Sequence, residues 1–360
     1  MASYSCLADR GLTGGAPSPT AQLLSLPGTT SSKRSDPSQA FTKRNSTAYV
    51  TPKTATGDSF LFIDDGDISR ILAFATTDNL TNLATADRIF CDGTFYTCPS
   101  LFHQIYSIHI EIDGSMFPVI YALLPGRSQT IYTRFFTLLK TAMADLHLPM
   151  TPATVFVDFE TAVHNAIRTV FPGTEIKGCF FHFTQCIWRK AQTTGLQLPY
   201  RDNDDTRRLV RRAAVLPLVP RQKIEDVWFN ALEDIEDADL PADVTPFTDY
   251  VVDQWIDGDR TIWNHYETEG PSTTNHLEAW HGKLKRMVQH ARSNIYAIIQ
   301  IFKDIQTAND ITRLQRQAAG TQRPRSRKYQ NIEIREQHNR HHDLRRRCIR
   351  VTASWIVYEQ

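Results

Sequence analysis

The sequence predicts an α/β protein built on a mixed five-stranded sheet flanked by helices. Three observations carry that expectation: three consecutive β-type segments joined by short turns, βα units after them, and helical apolar spacing through most of the remaining chain.

The first strand is expected over 88–97, where Ile89, Phe90 and Cys91 lead to Asp92. The second, over 102–112, alternates Tyr106, Ile108, Ile110 and Ile112. Asp113-Gly114 is a strong two-residue hairpin signal, and the third strand, 116–124, ends at Pro125-Gly126. A helix follows over 129–146, with Ile131, Phe135, Leu138, Leu139 and Ala142 on one side. A short fourth strand, 153–157, stops at Asp158, and a helix over 160–170 stops at Phe171-Pro-Gly. A fifth strand, 175–181, leads into a helix over 184–192. Upstream, residues 67–83 space Ile68, Ile71, Leu72 and Phe74 as a helix would. Downstream, 195–270 reads as helices broken by Pro199, Pro217, Pro220, Pro241 and Pro246, and Ser272-Thr-Thr offers caps for a long helix toward Ile305.

The 360 residues suffice for one large domain or two smaller ones, and 41% hydrophobic with 22% charged is ordinary for a soluble globular chain. No run of about 18 apolar residues occurs, so no membrane partner is expected. Residues 1–58 are rich in Ser, Thr, Gly and Pro and read as disordered or linker-like. The six cysteines form no CxxC pair, which favours a reducing compartment. Charge is uneven: 224–259 holds twelve acidic residues and no Lys or Arg, whereas 313–350 holds twelve Lys or Arg and three acidic residues. Each run could be a solvated helix face, and the basic one could also face a polyanion.

Asp92 is the residue that needs explaining. A carboxylate within a central strand is costly to bury unless a partner or a metal compensates it. Asp158, at the end of the fourth strand, is the second acid in such a position. Two adjacent carboxylates repel unless divalent cations sit between them, and hard oxygen ligands suit Mg²⁺ or Mn²⁺.

The ordered set Ile89-Phe-Cys-Asp-Gly-Thr-Phe95, Phe117-Pro-Val-Ile-Tyr-Ala-Leu-Leu-Pro125, Val157-Asp158, Phe171-Pro-Gly173, Gly178-Cys-Phe-Phe-His-Phe-Thr-Gln185, Trp263-Asn264 and Thr274-Asn-His-Leu-Glu-Ala-Trp-His281 resembles the catalytic domain of Mutator-like element (MULE) transposases. The resemblance spans about residues 60–310. It implies a ribonuclease-H-like core over 59–194, a helical insertion over 195–270, a helix over 271–312 completing the core, and a basic segment over 313–360. It also implies a DDE-type DNA transposase using two Mg²⁺ or Mn²⁺ ions, with Asp92, Asp158 and Glu278 as catalytic and metal-holding carboxylates. Asp92 would then bridge both ions. Transposon ends and target DNA would be the partners, the working form a homo-oligomer on DNA, and the location nuclear.

Cys179 and His182 form a Cys-x-x-His pair with no second pair to complete a zinc site. The family's similar pair implies a supporting role, so no zinc is expected. Arg207, Arg208, Arg211, Arg212, His281, Lys283, Arg345, Arg346 and Arg347 are candidate DNA contacts, and Trp263 is a candidate stacking platform for an unpaired base. Family members often carry a zinc-binding recognition module ahead of the catalytic domain. The first 60 residues hold Cys6 and no histidine, so none is expected there. Two other readings compete: a catalytically inactive or domesticated DNA-binding derivative, and a plain ribonuclease-H-like nuclease.

Overall fold

The computed structural model describes residues 53–319, apart from 55–56, 58, 237–239, 269–274 and 289–293. Its strands are β1 (Leu61–Asp64), β2 (Leu72–Phe74), β3 (Arg88–Thr94), β4 (Gln104–Ile112), β5 (Ser115–Leu124), β6 (Thr154–Val157) and β7 (Glu175–Gly178). They form one seven-stranded mixed sheet in the order β1-β2-β5-β4-β3-β6-β7. The five expected strands are β3 to β7. β3, β4 and β5 run antiparallel, and β6 and β7 continue parallel to β3. This arrangement is consistent with a ribonuclease-H-like transposase fold.

The sheet has two strands more than the five expected, and both lie beyond β5. The helix expected over 67–83 does not form as such. Residues Leu72–Phe74 are buried as an antiparallel partner of β5, Thr76 caps a helix that starts only at Thr77, and Ile68 is fully exposed. A continuous apolar run of this length is read equally well as strand or helix, and the open edge of β5 decides it. The expected hairpin is present: Asp113 and Gly114 both take positive φ, at 49° and 67°. Pro118 sits within β5 opposite a register shift at Ile108/His109, where a missing N–H does least harm.

The helices are α1 (Thr77–Ala84), α2 (Gln129–Asp145), α3 (Thr161–Val170), α4 (Phe180–Thr193), α5 (Gln197–Asp202), α6 (Asp204–Val215), α7 (Ile224–Glu236), α8 (Thr245–Val251), α9 (Arg260–Trp263), α10 (Asn275–Met287) and α11 (Ile295–Ala319). Side-chain alternation divides the sheet's two faces. Ile89, Cys91, Ile108, Ile110, Val155 and Val157 pack under α2 and α3 through Phe135, Phe136, Leu139 and Ile167. On the other face, Phe74, Ile105, Tyr121 and Leu123 pack against Trp280 and Leu284 of α10 and Ile298 and Phe302 of α11. The single long helix expected toward Ile305 is therefore two described helices, both covering this second face. A separate helical core runs from α4 to α9 and meets the sheet region through Phe159.

β7 ends at Gly178 and α4 begins at Phe180, so the strand expected to reach 181 is shorter. Gly178 has a packing reason to be glycine. A Cβ there would overlap the edge of the Phe159 ring. Gly178→Ala is expected to destabilise the protein by about 1–3 kcal/mol through overpacking, read as a fall in Tm of several degrees. An unchanged Tm would mean that the ring moves aside freely.

Candidate active site and metal-ligating cluster

The β3–β6 register brings two of the sequence-identified acids to one level of the sheet. Arg88 pairs with Thr154 and Phe90 with Phe156, and carrying the same offset forward sets Asp92 opposite Asp158. Phe90 and Phe156 stack at 4.6 Å on the face that Asp92 shares. Leu277 of α10 packs on this pair of rings, which delivers the next residue, Glu278, to the end of β3.

Asp92 is only 3% exposed, and its Oδ2 accepts no hydrogen bond. The other oxygen accepts from the Gly93 N–H at 2.8 Å. His281, one helical turn after Glu278, brings Nδ1 to 3.6 Å from Asp92 Oδ2. His182, in the first turn of α4, has Nε2 3.2 Å from Glu278 Oε1. Ligand atoms of Asp92, His182 and Glu278 all lie within 4.8 Å of one another. Asp158 lies outside this group. Its Oδ1 accepts from the Glu160 N–H at 3.2 Å, and its carbonyl meets His164 Nε2 at 2.7 Å.

Burial holds the Asp92 carboxyl well above the ordinary carboxylate range; His182 opposes the rise, and the negative charges of Glu278 and Asp158 add to it. Burial also pushes Glu278 upward, but its hydrogen bond with His182 and the charges of His182 and His281 outweigh that and leave it lowered. For His182, burial disfavours the charged ring, yet Cys179, Glu278 and Asp92 prevail and raise it well above its usual value. His281 is lowered by burial to about 4. The fit to a divalent cation is chemical as well as spatial. Two carboxylates and an imidazole converge, and one buried carboxylate oxygen has no hydrogen-bond donor to balance it.

Several expectations change. Cys179 and His182 were expected only to support the site, but a ring nitrogen of His182 is itself one of the three converging ligand atoms, while Cys179 acts on the ring electrostatically. Trp263 is 2% exposed, stacks on Phe183 at 5.3 Å and donates from Nε1 to the Trp255 carbonyl. It has no ring face for a base, because it is core of the helical unit. His281 is buried beside Asp92 rather than set on the surface for phosphate, whereas Lys283 is exposed. Arg207, Arg208 and Arg212 pair with Asp204, Asp205 and Asp234, and Arg211 lies against Tyr200. Contact with phosphate would require exchanging these partners. Arg345, Arg346 and Arg347 lie outside the described residues.

Sequence reasoning gave Glu160 to the first turn of a helix and missed His109. Glu160 accepts from Tyr132 Oη at 2.8 Å, and burial together with Asp158 raises its pKa. Its position two residues after Asp158 was the available signal. His109 is buried beneath Trp280, with Nε2 3.0 Å from Ser107 Oγ. Burial lowers its pKa well below 6.5, and His281 and His276 of α10 add to this. A ring held neutral in the folded state contributes stability that is present above about pH 6.5 and is lost as pH falls below it. His109→Gln is therefore expected to flatten the decline of Tm between about pH 7 and pH 5. Parallel curves for parent and variant would contradict the assignment.

A cleft of about 570 Å³ opens at the other end of the sheet, lined by residues including Arg88, Glu175, Lys177 and Arg221. It contains none of the predicted site residues. No helix among the described residues is long and apolar enough to cross a membrane.

One protein-family model matches part of this core. It matches residues 88–186, from the start of β3 into α4. The chain carries a MULE transposase domain. Asp92, Asp158, Cys179 and His182 fall within the matched stretch, and Glu278 lies beyond it. No curated protein matches the chain. A MULE transposase domain implies DNA as a partner and, typically, phosphoryl transfer, which accords with the buried Asp/His/Glu cluster.

Proposed function

We propose that this chain is a transposase-type polynucleotidyl transferase that cleaves DNA and joins strands. The reading is carried by one observation: Asp92 of β3 and Glu278 of α10, 186 positions apart, converge within ligand distance on a chain that carries a MULE transposase domain. Asp92 would hold both of two hard cations, Mg²⁺ or Mn²⁺, with Asp158 and Glu278 holding one each. Such ions, when bound, supply Lewis acidity at the scissile phosphate and lower the pKa of water. The chain's own residues then position. Phe90, Phe156 and Leu277 keep one side of the site dry, and before a cation binds His182 holds the Glu278 carboxylate in place through its 3.2 Å contact. Lys283 and the arginines from 313 onward are the proposed phosphate contacts.

The same reading divides the chain into a catalytic core, 59–194 with 271–312, interrupted by the helical unit 195–270. It also carries a homo-oligomer on DNA and a nuclear site of action. The test is incubation of the full chain with duplexes bearing the element's flanking repeats, with Mg²⁺ or Mn²⁺ and with EDTA. Metal-dependent nicking followed by joining of a 3′-OH end to target DNA is expected. Nicking without joining would reduce the activity to that of a nuclease. DNA binding with no metal-dependent cleavage would overturn the catalytic reading.

A further inference from the structure

We propose that Asp92, His182 and Glu278 form a mixed nitrogen–oxygen site that takes a first-row transition ion, such as Mn²⁺, in preference to Mg²⁺. The proposal rests on the metal-dependent reading above and sharpens which ion the site selects.

The donor set governs which ion the site prefers. Mg²⁺ requires near-ideal octahedral oxygen coordination and dehydrates reluctantly, so a buried imidazole is a poor exchange for water. Mn²⁺, although hard, tolerates an imidazole better than Mg²⁺ does, and affinity for nitrogen rises through Fe²⁺ and Co²⁺ toward the borderline ions Ni²⁺, Cu²⁺ and Zn²⁺. Here the imidazole is built into the site. His182 is buried and its Nε2 is 3.2 Å from Glu278 Oε1, so a cation bound there would take the place of the ring proton. Asp92 Oδ2, buried and accepting no hydrogen bond, completes the group within 4.8 Å. By contrast, Asp158 lies outside this group, so a cation held between Asp92 and Asp158 alone would meet carboxylate oxygen from the protein. The two positions of a paired-ion site would then differ in chemistry.

The experiment reads binding and not turnover. Mn²⁺ is titrated into the full-length protein and free Mn²⁺ is followed by EPR, with Mg²⁺ as competitor, for the parent and for His182→Gln. Expected is a Mn²⁺ affinity at least about tenfold lower in His182→Gln, with Mg²⁺ affinity changed much less. Pulsed EPR of the parent should also show ¹⁴N coupling from a directly bound imidazole, a measurement that stands even if the variant does not fold. Mn²⁺ binding with no ¹⁴N coupling, or with the same Mn²⁺/Mg²⁺ ratio in both proteins, would overturn the selectivity and leave the proposed function intact. Failure to bind either ion in the presence of DNA would sink both.

Discussion

Asp92→Asn is expected to abolish metal-dependent cleavage, by at least about a thousandfold, or roughly 4 kcal/mol of transition-state stabilisation. Asn keeps the shape of the side chain and can still accept from the Gly93 N–H, so the fold has no reason to fail. It removes the carboxylate that a cation would need. Burial opposes the charged form of Asp92, and that opposition disappears with the charge. In EDTA the variant should therefore melt at the same temperature as the parent or higher. Circular dichroism melts and cleavage assays on the same preparations check both halves. An unfolded variant would make the carboxylate structural, and a variant that still cleaves would remove Asp92 from the chemistry.

Trp280→Ala should cost more stability than Gly178→Ala, His109→Gln or Asp92→Asn. Trp280 is 7% exposed and sits between the sheet and the rest of α10, meeting His109 at 5.2 Å and Tyr121 at 6.1 Å between ring centroids. Truncation of a buried aromatic of this size costs about 3–5 kcal/mol. It also loosens the helix that carries Glu278 and His281, so cleavage should fall with stability. Trp280→Phe should recover most of both. A loss in Tm of only a degree or two by calorimetry would mean that Leu277 and Leu284 dock α10 without it.

What could be read from the sequence was what local pattern encodes. Asp113-Gly114 marked its hairpin because positive φ at both positions demands such residues. Strand β3 was legible because a carboxylate within an apolar strand needs an explanation, and the level of Asp158 followed once β6 was taken as its neighbour. The contact of His182 with Glu278 was not legible, since 96 positions and a helical unit separate them and no local spacing encodes their meeting. β2 was misread as helix because four successive apolar residues, Ile71 to Phe74, carry no period, and pairing with β5 supplies the information. Trp263 shows the opposite error. An aromatic residue gives the same sequence signal whether it stacks on a base or fills a core, and here Phe183 and Trp255 enclose it.

Whether Asp92 and Glu278 hold a catalytic cation together is decided by anomalous diffraction from crystals grown with Mn²⁺. A peak within coordination distance of Asp92 and Glu278, with His182 as a third ligand, is expected, together with its loss in Asp92→Asn. No peak at that cluster, or Asp92 and Glu278 side chains turned apart in the presence of the ion, would contradict the shared site.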